Sequence, residues 1–212
     1  MRKIDVENWD RKDMFNFYKD MDFPMYSMTF ELDVTRFYSE VKKAKQSFYF
    51  TFMYHAMYHM NQIENFKYRF MDQEPYIYET IHPSFTDLIQ GKNLFKIVTI
   101  DFLYDEKKFI ENARMASDLQ KDQFIDLTKE SRNDLVYITT FPWASYTHVS
   151  FAHNQDAKDA VPRLTWGKFE DINGKKMMPF TLAVHHAFVD GYHVGQLINN
   201  LQNALNNYTA KA

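Results

Sequence analysis

The chain has 212 residues, of which 45% are hydrophobic and 17% aromatic, and it contains no cysteine. This composition supports one sizeable hydrophobic core and excludes disulfides, thiolate catalysis and metal sites built from cysteine. The formal net charge is -3, with lysine and arginine scattered among the acidic residues. This distribution argues against a nucleic-acid surface but still allows local lysines to bind a small anion.

No Pro-, Gly- or Ser-rich linker interrupts the chain, so we expect a single domain over residues 1–212. The first residues, Met1 to Glu7, are polar, and we therefore expect no secretion leader. No apolar run approaches membrane-spanning length, and we expect no association with a membrane. Together with the lack of cysteine, these features favour a soluble cytoplasmic protein.

Apolar residues in the first half of the chain recur with the spacing of amphipathic helices and alternate as in strands. In chain order, the pattern predicts a short helix at Trp9 to Tyr18, a strand at Met28 to Leu32, a helix capped by Asp33 with Phe37, Val41 and Ala44 on one face, a helix at Phe48 to Asn61, a hairpin of Phe66 to Phe70 with Tyr76 to Tyr78, and a strand at Lys96 to Ile100.

The second half predicts a helix, several strands and a closing helix. They are a helix at Glu106 to Leu119, strands at Leu135 to Thr140, Ser145 to Phe151, Arg163 to Phe169 and Lys176 to His186, and a helix carrying Val194, Leu197, Ile198, Leu201 and Leu205. The last two strands flank Asn173-Gly174, which is the strongest short-range hairpin signal in the sequence.

A histidine pair lies where the last strand gives way to the closing helix. Alternation along the strand sends His185 and His186 to opposite faces, so only one of them can serve a given site. Asp190 and Gly191 lie at the entrance of the helix, where a carboxylate can cap backbone amides. A histidine held at the end of a rigid sheet, four residues before an aspartate, is a candidate catalytic residue.

The segment from His186 to Gly191 fits the pattern His-x-x-x-Asp-Gly and resembles the signature of the chloramphenicol acetyltransferases. Dihydrolipoyl acyltransferases share this short motif, but three further segments match the former family in order. They are Trp9-Asp10-Arg11-Lys12 with Phe15, Phe17 and Tyr18, the Phe141-Pro142-Trp143 element, and Leu164-Thr165-Trp166-Gly167-Lys168-Phe169. Four ordered segments along nearly the whole chain indicate the family more specifically than the motif alone.

The resemblance implies an α/β fold, an α+β two-layer sandwich in which helices flank a mixed sheet. It also implies a homotrimer with active sites at the subunit interfaces, acetyl-CoA as co-substrate, and no tightly bound cofactor or metal. By position, His186 is the general base and Asp190 pairs with Arg11 to hold the loop. Thr139 takes the place of the family serine that binds the oxyanion, and Thr165 that of a threonine positioning a water.

The resemblance also assigns residues to the two substrates. Trp143, Tyr49 and Lys168 match positions that line the CoA arm, while Ser47 stands where the family has a lysine. The predicted acceptor pocket contains Phe17, Tyr18, Phe95, Tyr137 and Arg163. In that pocket Arg163 replaces an apolar residue and Asp159 aligns with a tyrosine. These two charges either pair with one another or reshape the pocket for a more polar alcohol.

The expected reaction is therefore acetyl transfer from acetyl-CoA to a hydroxyl group of chloramphenicol. A hydroxyl needs a neutral imidazole to take its proton before it can attack a thioester at neutral pH. Three alternatives stay open: the same chemistry on another alcohol, a non-catalytic trimeric binding protein, and, less favoured because no lipoyl-type module or Ala/Pro-rich linker is present, a dihydrolipoyl acyltransferase core.

Two further histidines, His55 and His59, lie four residues apart on a predicted helix and could present two zinc ligands. The glutamate of a zincin motif and a marked third ligand are missing, so we expect a packed or surface face. Without the resemblance, Thr139 and Trp143 would be read as ordinary strand and core residues.

Overall fold

A mixed seven-stranded sheet forms the centre of the computed structural model, which describes residues 1–152 and 156–210. Along the sheet the strands are β2 (Met25–Asp33), β10 (Lys175–His185), β8 (Arg163–Gly167), β7 (Leu135–Phe141), β5 (His82–Leu88) and β6 (Phe95–Thr99), and β9 (Glu170–Ile172) pairs with β10. A smaller three-stranded sheet contains β1 (Arg2–Lys3), β4 (Glu74–Ile77) and β3 (Tyr68–Met71).

Strand β7 is parallel to both of its neighbours, β5 and β8, whereas the other neighbouring pairs of the large sheet are antiparallel. Parallel neighbours need a crossover connection rather than a tight turn. The chain crosses from β5 to β7 through β6 and two helices, and from β7 to β8 through residues 142–162.

Four helices, α2 (Thr35–Lys43), α3 (Phe48–Asn61), α4 (Glu106–Gln120) and α6 (Gly191–Asn207), form a layer on one face of the large sheet. Two shorter helices are α1 (Lys12–Tyr18) and α5 (Leu127–Glu130), and Glu130 of α5 accepts from the Ser84 and Thr99 hydroxyls. The fully buried Phe52 of α3 contacts Trp166 and Phe180 of the sheet, with ring centroids 4.8 and 6.0 Å away. The predicted α/β architecture, with a mixed sheet flanked by helices, is confirmed. Within the described ranges, no helix is long and apolar enough to cross a membrane.

The other face of the sheet carries a row of threonines across neighbouring strands. Thr181 lies opposite Thr29 on one side and Thr165 on the other, and Thr165 lies opposite Thr139. The row ends in β5, where the Thr86 hydroxyl is 3.2 Å from that of Thr139. Side chains alternate between the two faces along a strand. The residues immediately before and after each of these threonines therefore point towards the helical layer on the opposite face.

Most predicted elements are confirmed, and α3 has the predicted bounds. The predicted strand from Ser145 to Phe151 is wrong, because this segment forms neither helix nor strand. It belongs to the connection between β7 and β8, and β8 already has a partner on each side. The Tyr146 hydroxyl instead donates to the carbonyl oxygen of Thr165 at 3.0 Å, so the connection lies against the sheet and forms no ladder.

Three predicted boundaries also move. The first helix begins at Lys12 rather than Trp9, because Trp9 is extended and packs edge-on against Tyr68 at 4.9 Å. The Asp33 carboxylate accepts from the Thr35 amide at 3.0 Å, as predicted, although Val34 is the N-cap residue of α2. The hairpin strands are shifted, since Asp72 and Gln73, both with positive φ, form the turn between β3 and β4.

Candidate functional site

His185 is the last residue of β10, and its ring is buried and hydrogen-bonded inside the protein. The side chain is buried, its Nδ1 accepts from the Ala187 amide at 3.1 Å, and its Nε2 lies 2.8 Å from the Ala157 carbonyl oxygen. These contacts require the proton on Nε2, which then donates to Ala157. Burial lowers the pKa of His185 to about 4, so the ring is neutral in the folded protein.

His186 lies on the other side of the chain, as alternation predicts, and its ring is held by aromatic neighbours. The Tyr18 ring stacks on the imidazole with ring centroids 4.0 Å apart and an interplanar angle of 7°. The centroid of the Tyr26 ring lies 4.6 Å from that of the imidazole. Neither ring nitrogen has a hydrogen-bond partner among the described residues, and Nδ1 is buried. The stack therefore orients the imidazole while leaving it available to a ligand.

Arg11 ties the turn after His186 to α1. Its Nη1 donates to the Asp190 carboxylate at 2.7 Å, its Nε to the Ala187 carbonyl oxygen at 2.8 Å and its Nη2 to that of His186 at 3.0 Å. The pairing of Arg11 with Asp190 is thus present, and only 6% of Arg11 is exposed. Planar guanidinium donors in a fixed fork suit such a set of acceptors.

Asp190 also starts α6, where it caps the helix by accepting from the Tyr192 amide at 3.2 Å. Its carboxylate lies 2.9 Å from Nδ1 of His193. Burial raises the pKa of Asp190, but the Arg11 hydrogen bond and the neighbouring positive charges outweigh burial and leave that pKa below its usual value. The carboxylate is therefore charged and committed to holding the turn.

A cavity of about 940 Å³ opens where β5, β7 and β8 end beside the start of α3. Its size is that of a binding site for a small organic ligand. The predicted site residues Tyr49, Phe95, Thr139, Trp143 and Lys168 all line it. The structure thus brings the residues assigned to CoA together with the residue assigned to the oxyanion.

The side chains that line this cavity differ in whether their charges and hydroxyls already have partners. Lys168 is exposed and has no ion-pair partner in the described part of the chain, whereas Lys92 pairs with Asp122 at 3.1 Å. The Tyr49 hydroxyl donates to the Thr86 carbonyl oxygen at 2.6 Å, and burial raises the pKa of this phenol well above its usual value. Tyr49 consequently presents an apolar wall, and Lys168 is the cation available to an anion.

Ser47, at the position of the family lysine, is the N-cap residue of α3. Its hydroxyl accepts from the Phe50 amide at 3.4 Å. Serine is among the preferred N-cap residues because its side chain satisfies an amide of the first helical turn. This residue therefore has a structural role and carries no charge to a phosphate.

The residues predicted to bind the acceptor are divided between different places. Tyr18 stacks on His186, Phe95 lines the cavity, and Phe17 is 65% exposed. Tyr137 lies beneath the Arg163 guanidinium, whose central carbon is 5.6 Å from the ring centroid.

Arg163 pairs with Asp159, which is the first of the two alternatives that the sequence left open. Its Nη1 also donates to the Val161 carbonyl oxygen at 3.1 Å, and only 5% of the residue is exposed. Both charges are therefore paired within the chain. Arg163 lies opposite Tyr137, on the same face of the sheet as Thr139.

His186 and Thr139 do not meet within one chain. Thr139 lies two strands from Thr181, and Thr181 precedes the end of β10 at His185 by four residues. At a rise of about 3.3 Å per residue and a strand spacing of about 4.8 Å, that strand end lies roughly 16 Å from Thr139. His186 is not among the residues that line the cavity. Thr165 is buried beside Thr139, which does line it, and so lies next to the cavity.

Two residues of this region were missed from the sequence. Tyr26, which contacts the His186 ring, precedes the predicted strand because β2 starts at Met25 rather than Met28. Thr86 lies in β5, which was not predicted because Pro83 interrupts its alternating pattern. The alternation of His82, Ser84 and Thr86 is the signal that could have revealed that strand.

The two histidines considered as zinc ligands are packed in the helical layer. His55 contacts the rings of Phe37 and Tyr208 at 5.7 and 5.1 Å, and burial lowers the pKa of His59. In residues 1–152 and 156–210, no group of three or more histidines or carboxylates is arranged to hold a metal.

Known proteins resemble the chain over nearly its whole length. Residues 1–202 match the family model described as chloramphenicol acetyltransferase. A chloramphenicol acetyltransferase of Klebsiella sp is 29% identical over 201 residues, which cover 94% of this chain and 91% of the relative. One of Clostridium perfringens is 29% identical over 213 residues, covering 97% of this chain and 94% of the relative.

Solved structures agree with the sequence matches. A structure of a chloramphenicol acetyltransferase matches with a TM-score of 0.89 at 26% identity and covers 97% of this chain and 100% of its own. A probable dihydrolipoamide acetyltransferase of Listeria monocytogenes matches with a TM-score of 0.69 at 10% identity, covering 96% of this chain and 94% of its own, which indicates a shared fold alone. The chain belongs to the chloramphenicol acetyltransferase family.

Proposed function

We propose that this protein is an acetyl-CoA-dependent O-acetyltransferase that acetylates a hydroxyl group of chloramphenicol. The observation that carries the proposal is the family match over residues 1–202, which includes His186 and its motif. Its relatives from Klebsiella sp and Clostridium perfringens bear the name of this activity. A cytoplasmic location fits both the cysteine-free chain and an acetyl-CoA substrate.

His186 serves as the general base in a ternary complex. Its imidazole takes the proton of the acceptor hydroxyl while the oxygen attacks the thioester carbonyl carbon, giving a tetrahedral intermediate. The carbon–sulfur bond then breaks, and the imidazolium returns the proton to the CoA thiolate. The orientation of the ring by Tyr18, together with its lack of hydrogen bonds to the residues that the structure describes, supports this role.

Thr139 donates a hydrogen bond to the oxyanion of that intermediate, and Thr165 positions a water beside it. Losing one oxyanion donor usually costs about a hundredfold or more in rate. The cavity beside Thr139, with Tyr49, Trp143 and Lys168 in its wall, takes the acetyl-CoA arm. Lys168 suits a CoA phosphate because it is exposed and has no ion pair in the described part of the chain.

The active protein is a homotrimer in which His186 of one subunit faces the cavity of the next. The proposal rests on the separation of His186 from Thr139 within a single chain, since both must reach one carbonyl group. Exposed aromatic rings at Phe17, 65% exposed, and Trp143, 63% exposed, support burial of these surfaces on assembly.

A second acceptor class is favoured by one observation. The ion pair of Arg163 and Asp159 lies beside Tyr137, a predicted pocket residue, and although the two charges satisfy one another, they stand where the resemblance predicts uncharged side chains around a chloramphenicol molecule. Rates on a panel of alcohols distinguish the two, since a polar acceptor that exceeds chloramphenicol by orders of magnitude in kcat/KM replaces it as the substrate.

The direct test is thiol release from acetyl-CoA in the presence of chloramphenicol. We expect turnover by the parent, loss of most of it in His186→Ala, and parent-like rates in His148→Ala, which changes an exposed histidine of the β7–β8 connection. Equal rates in the parent and His186→Ala would remove the catalytic account. Because His186 acts as a base, incubation with acetyl-CoA alone should leave no stoichiometric acetyl-enzyme.

A further inference from the structure

The threonine at the end of β5 touches the proposed oxyanion donor. We infer that Thr86 is a positioning residue whose hydroxyl donates to the Thr139 hydroxyl and so directs the Thr139 proton to the thioester oxygen. The inference rests on the proposed function, because it assigns a direction to a hydrogen bond that matters only if Thr139 stabilises an oxyanion.

The contact itself is a pair of hydroxyls. Oγ1 of Thr86 lies 3.2 Å from Oγ1 of Thr139, and both residues line the cavity. A hydroxyl has one proton to donate and can accept at its lone pairs. For Thr139 to donate to an oxyanion, its contact with Thr86 must use a lone pair, and Thr86 must be the donor.

Thr86 is itself fixed by a neighbour. Its carbonyl oxygen accepts the Tyr49 hydroxyl at 2.6 Å, and burial keeps that phenol protonated by raising its pKa. β5 also has strand partners on both sides, β7 and β6, which hold the backbone at this point. The donor is therefore positioned before any substrate arrives, which is the condition under which an oxyanion site is effective.

Threonine makes this arrangement more rigid than serine would. A β-branched side chain has restricted rotation about its first side-chain bond, so the Thr139 hydroxyl occupies few positions in the strand. A partner at hydrogen-bond distance selects the position that faces the cavity. Removing the Thr86 hydroxyl should hence lower the fraction of molecules in which Thr139 points at the carbonyl.

The same sheet offers a matched control. Thr29 and Thr181 form a second hydroxyl pair, 2.8 Å apart, in the same row of threonines. Neither residue lines the cavity or belongs to the proposed machinery. Thr29→Val thus removes a hydroxyl from an equivalent pair without touching the site.

The experiment compares Thr86→Val, Thr86→Ser and Thr29→Val in acetyl transfer to chloramphenicol. We expect Thr86→Val to lower kcat by about tenfold with KM for acetyl-CoA within about twofold of the parent. Thr86→Ser should recover most of kcat. Thr29→Val should keep the parent kcat, although its Tm, like that of Thr86→Val, falls below the parent value. If Thr86→Val does not fold, Thr86→Ala removes the same hydroxyl with a smaller side chain.

A second measurement separates positioning from general damage. In a Thr139→Val background the Thr86→Val change should lower kcat no further, since the hydroxyl it positions is already gone. Parent-like kcat in Thr86→Val, or independent losses in the double variant, would overturn the inference while leaving the acetyltransferase proposal intact. A parent without acetyl transfer to any alcohol would overturn both.

Discussion

Arg11 binds the backbone of His186 rather than its ring. Nη2 donates to the His186 carbonyl oxygen at 3.0 Å, and the His186 amide donates to the Pro24 carbonyl oxygen at 2.9 Å. Both polar groups of the His186 backbone are therefore fixed, and aromatic stacking sets the ring. Among the described residues neither imidazole nitrogen makes a structural hydrogen bond, so the ring can take a proton from a bound substrate.

Replacing Arg11 by lysine should disturb this turn. Arg11 serves three acceptors in different directions, and a lysine ammonium cannot reproduce that planar fork. We expect kcat to fall by about tenfold or more and the free energy of unfolding by about 2 kcal/mol. Steady-state rates and denaturant unfolding measure both effects. Lys12→Ala, which removes a half-buried cation one residue away, should match the parent in kcat, and an unchanged Arg11→Lys would refute the role of the fork.

His185 should make stability depend on pH below neutrality. Burial lowers the pKa of His185 to about 4 in the folded chain, from 6.5 ordinarily. Between these values the unfolded chain binds a proton that the folded chain does not, so stability falls as pH drops from 6.5 towards 4. The contribution over that window is about 3 kcal/mol.

The variant His185→Gln isolates this effect, because glutamine can still donate to the Ala157 carbonyl oxygen. Urea unfolding at several pH values should give a shallower decline in the variant than in the parent, with parallel curves above pH 6.5. Parallel curves throughout would show that His185 is not the titrating group.

Removing the Lys168 cation should weaken acetyl-CoA binding. Lys168→Ala should raise KM for acetyl-CoA several-fold with little change in kcat, since a phosphate contact is present in both ground and transition states. Acetyl-pantetheine, which lacks the nucleotide phosphates, provides the control and should show no difference between parent and variant. An equal rise in KM for both thioesters would place Lys168 away from the phosphates.

Packing of the β7–β8 connection on the sheet can be tested at Gly167. A Cβ there would lie 2.9 Å from both the Pro179 side chain and the Tyr146 ring. Gly167→Ala should therefore destabilise the protein by about 1–3 kcal/mol. Gly195→Ala in α6 meets nothing within 4 Å and should stabilise by about 0.5–1 kcal/mol. Thermal unfolding reports both, and a neutral Gly167→Ala would mean that Tyr146 does not pack there.

Local patterns were enough to predict every described helix except the short α5, and the strand that ends in the histidine pair. The Met- and aromatic-rich run from Phe48 to Asn61 predicted a helix, and the carboxylate at Asp190 predicted a helix start, because both signals lie within a few residues. The two histidines separated as alternation requires, with His185 buried in hydrogen bonds and His186 in the aromatic stack.

The failures arose where tertiary contacts override local pattern. Ser145 to Phe151 alternates like a strand, yet the neighbouring β8 is already paired on both sides, and the segment lies against the sheet instead. Thr86 was missed because Pro83 interrupts the alternating pattern of its strand, β5, so that strand was not predicted. The pairing of Arg163 with Asp159 was only one of two alternatives, since sequence spacing does not reveal where a buried charge points.

Mixed trimers test most directly the claim that His186 of one subunit acts beside Thr139 of the next. Chains carrying His186→Ala and chains carrying Thr139→Val, each nearly inactive alone, are co-expressed in equal amounts and purified together. Sites shared between subunits predict recovery of roughly a quarter of the parent activity per site, because mixed trimers contain interfaces with both native residues. Activity no greater than the mean of the two separate variants would contradict the claim.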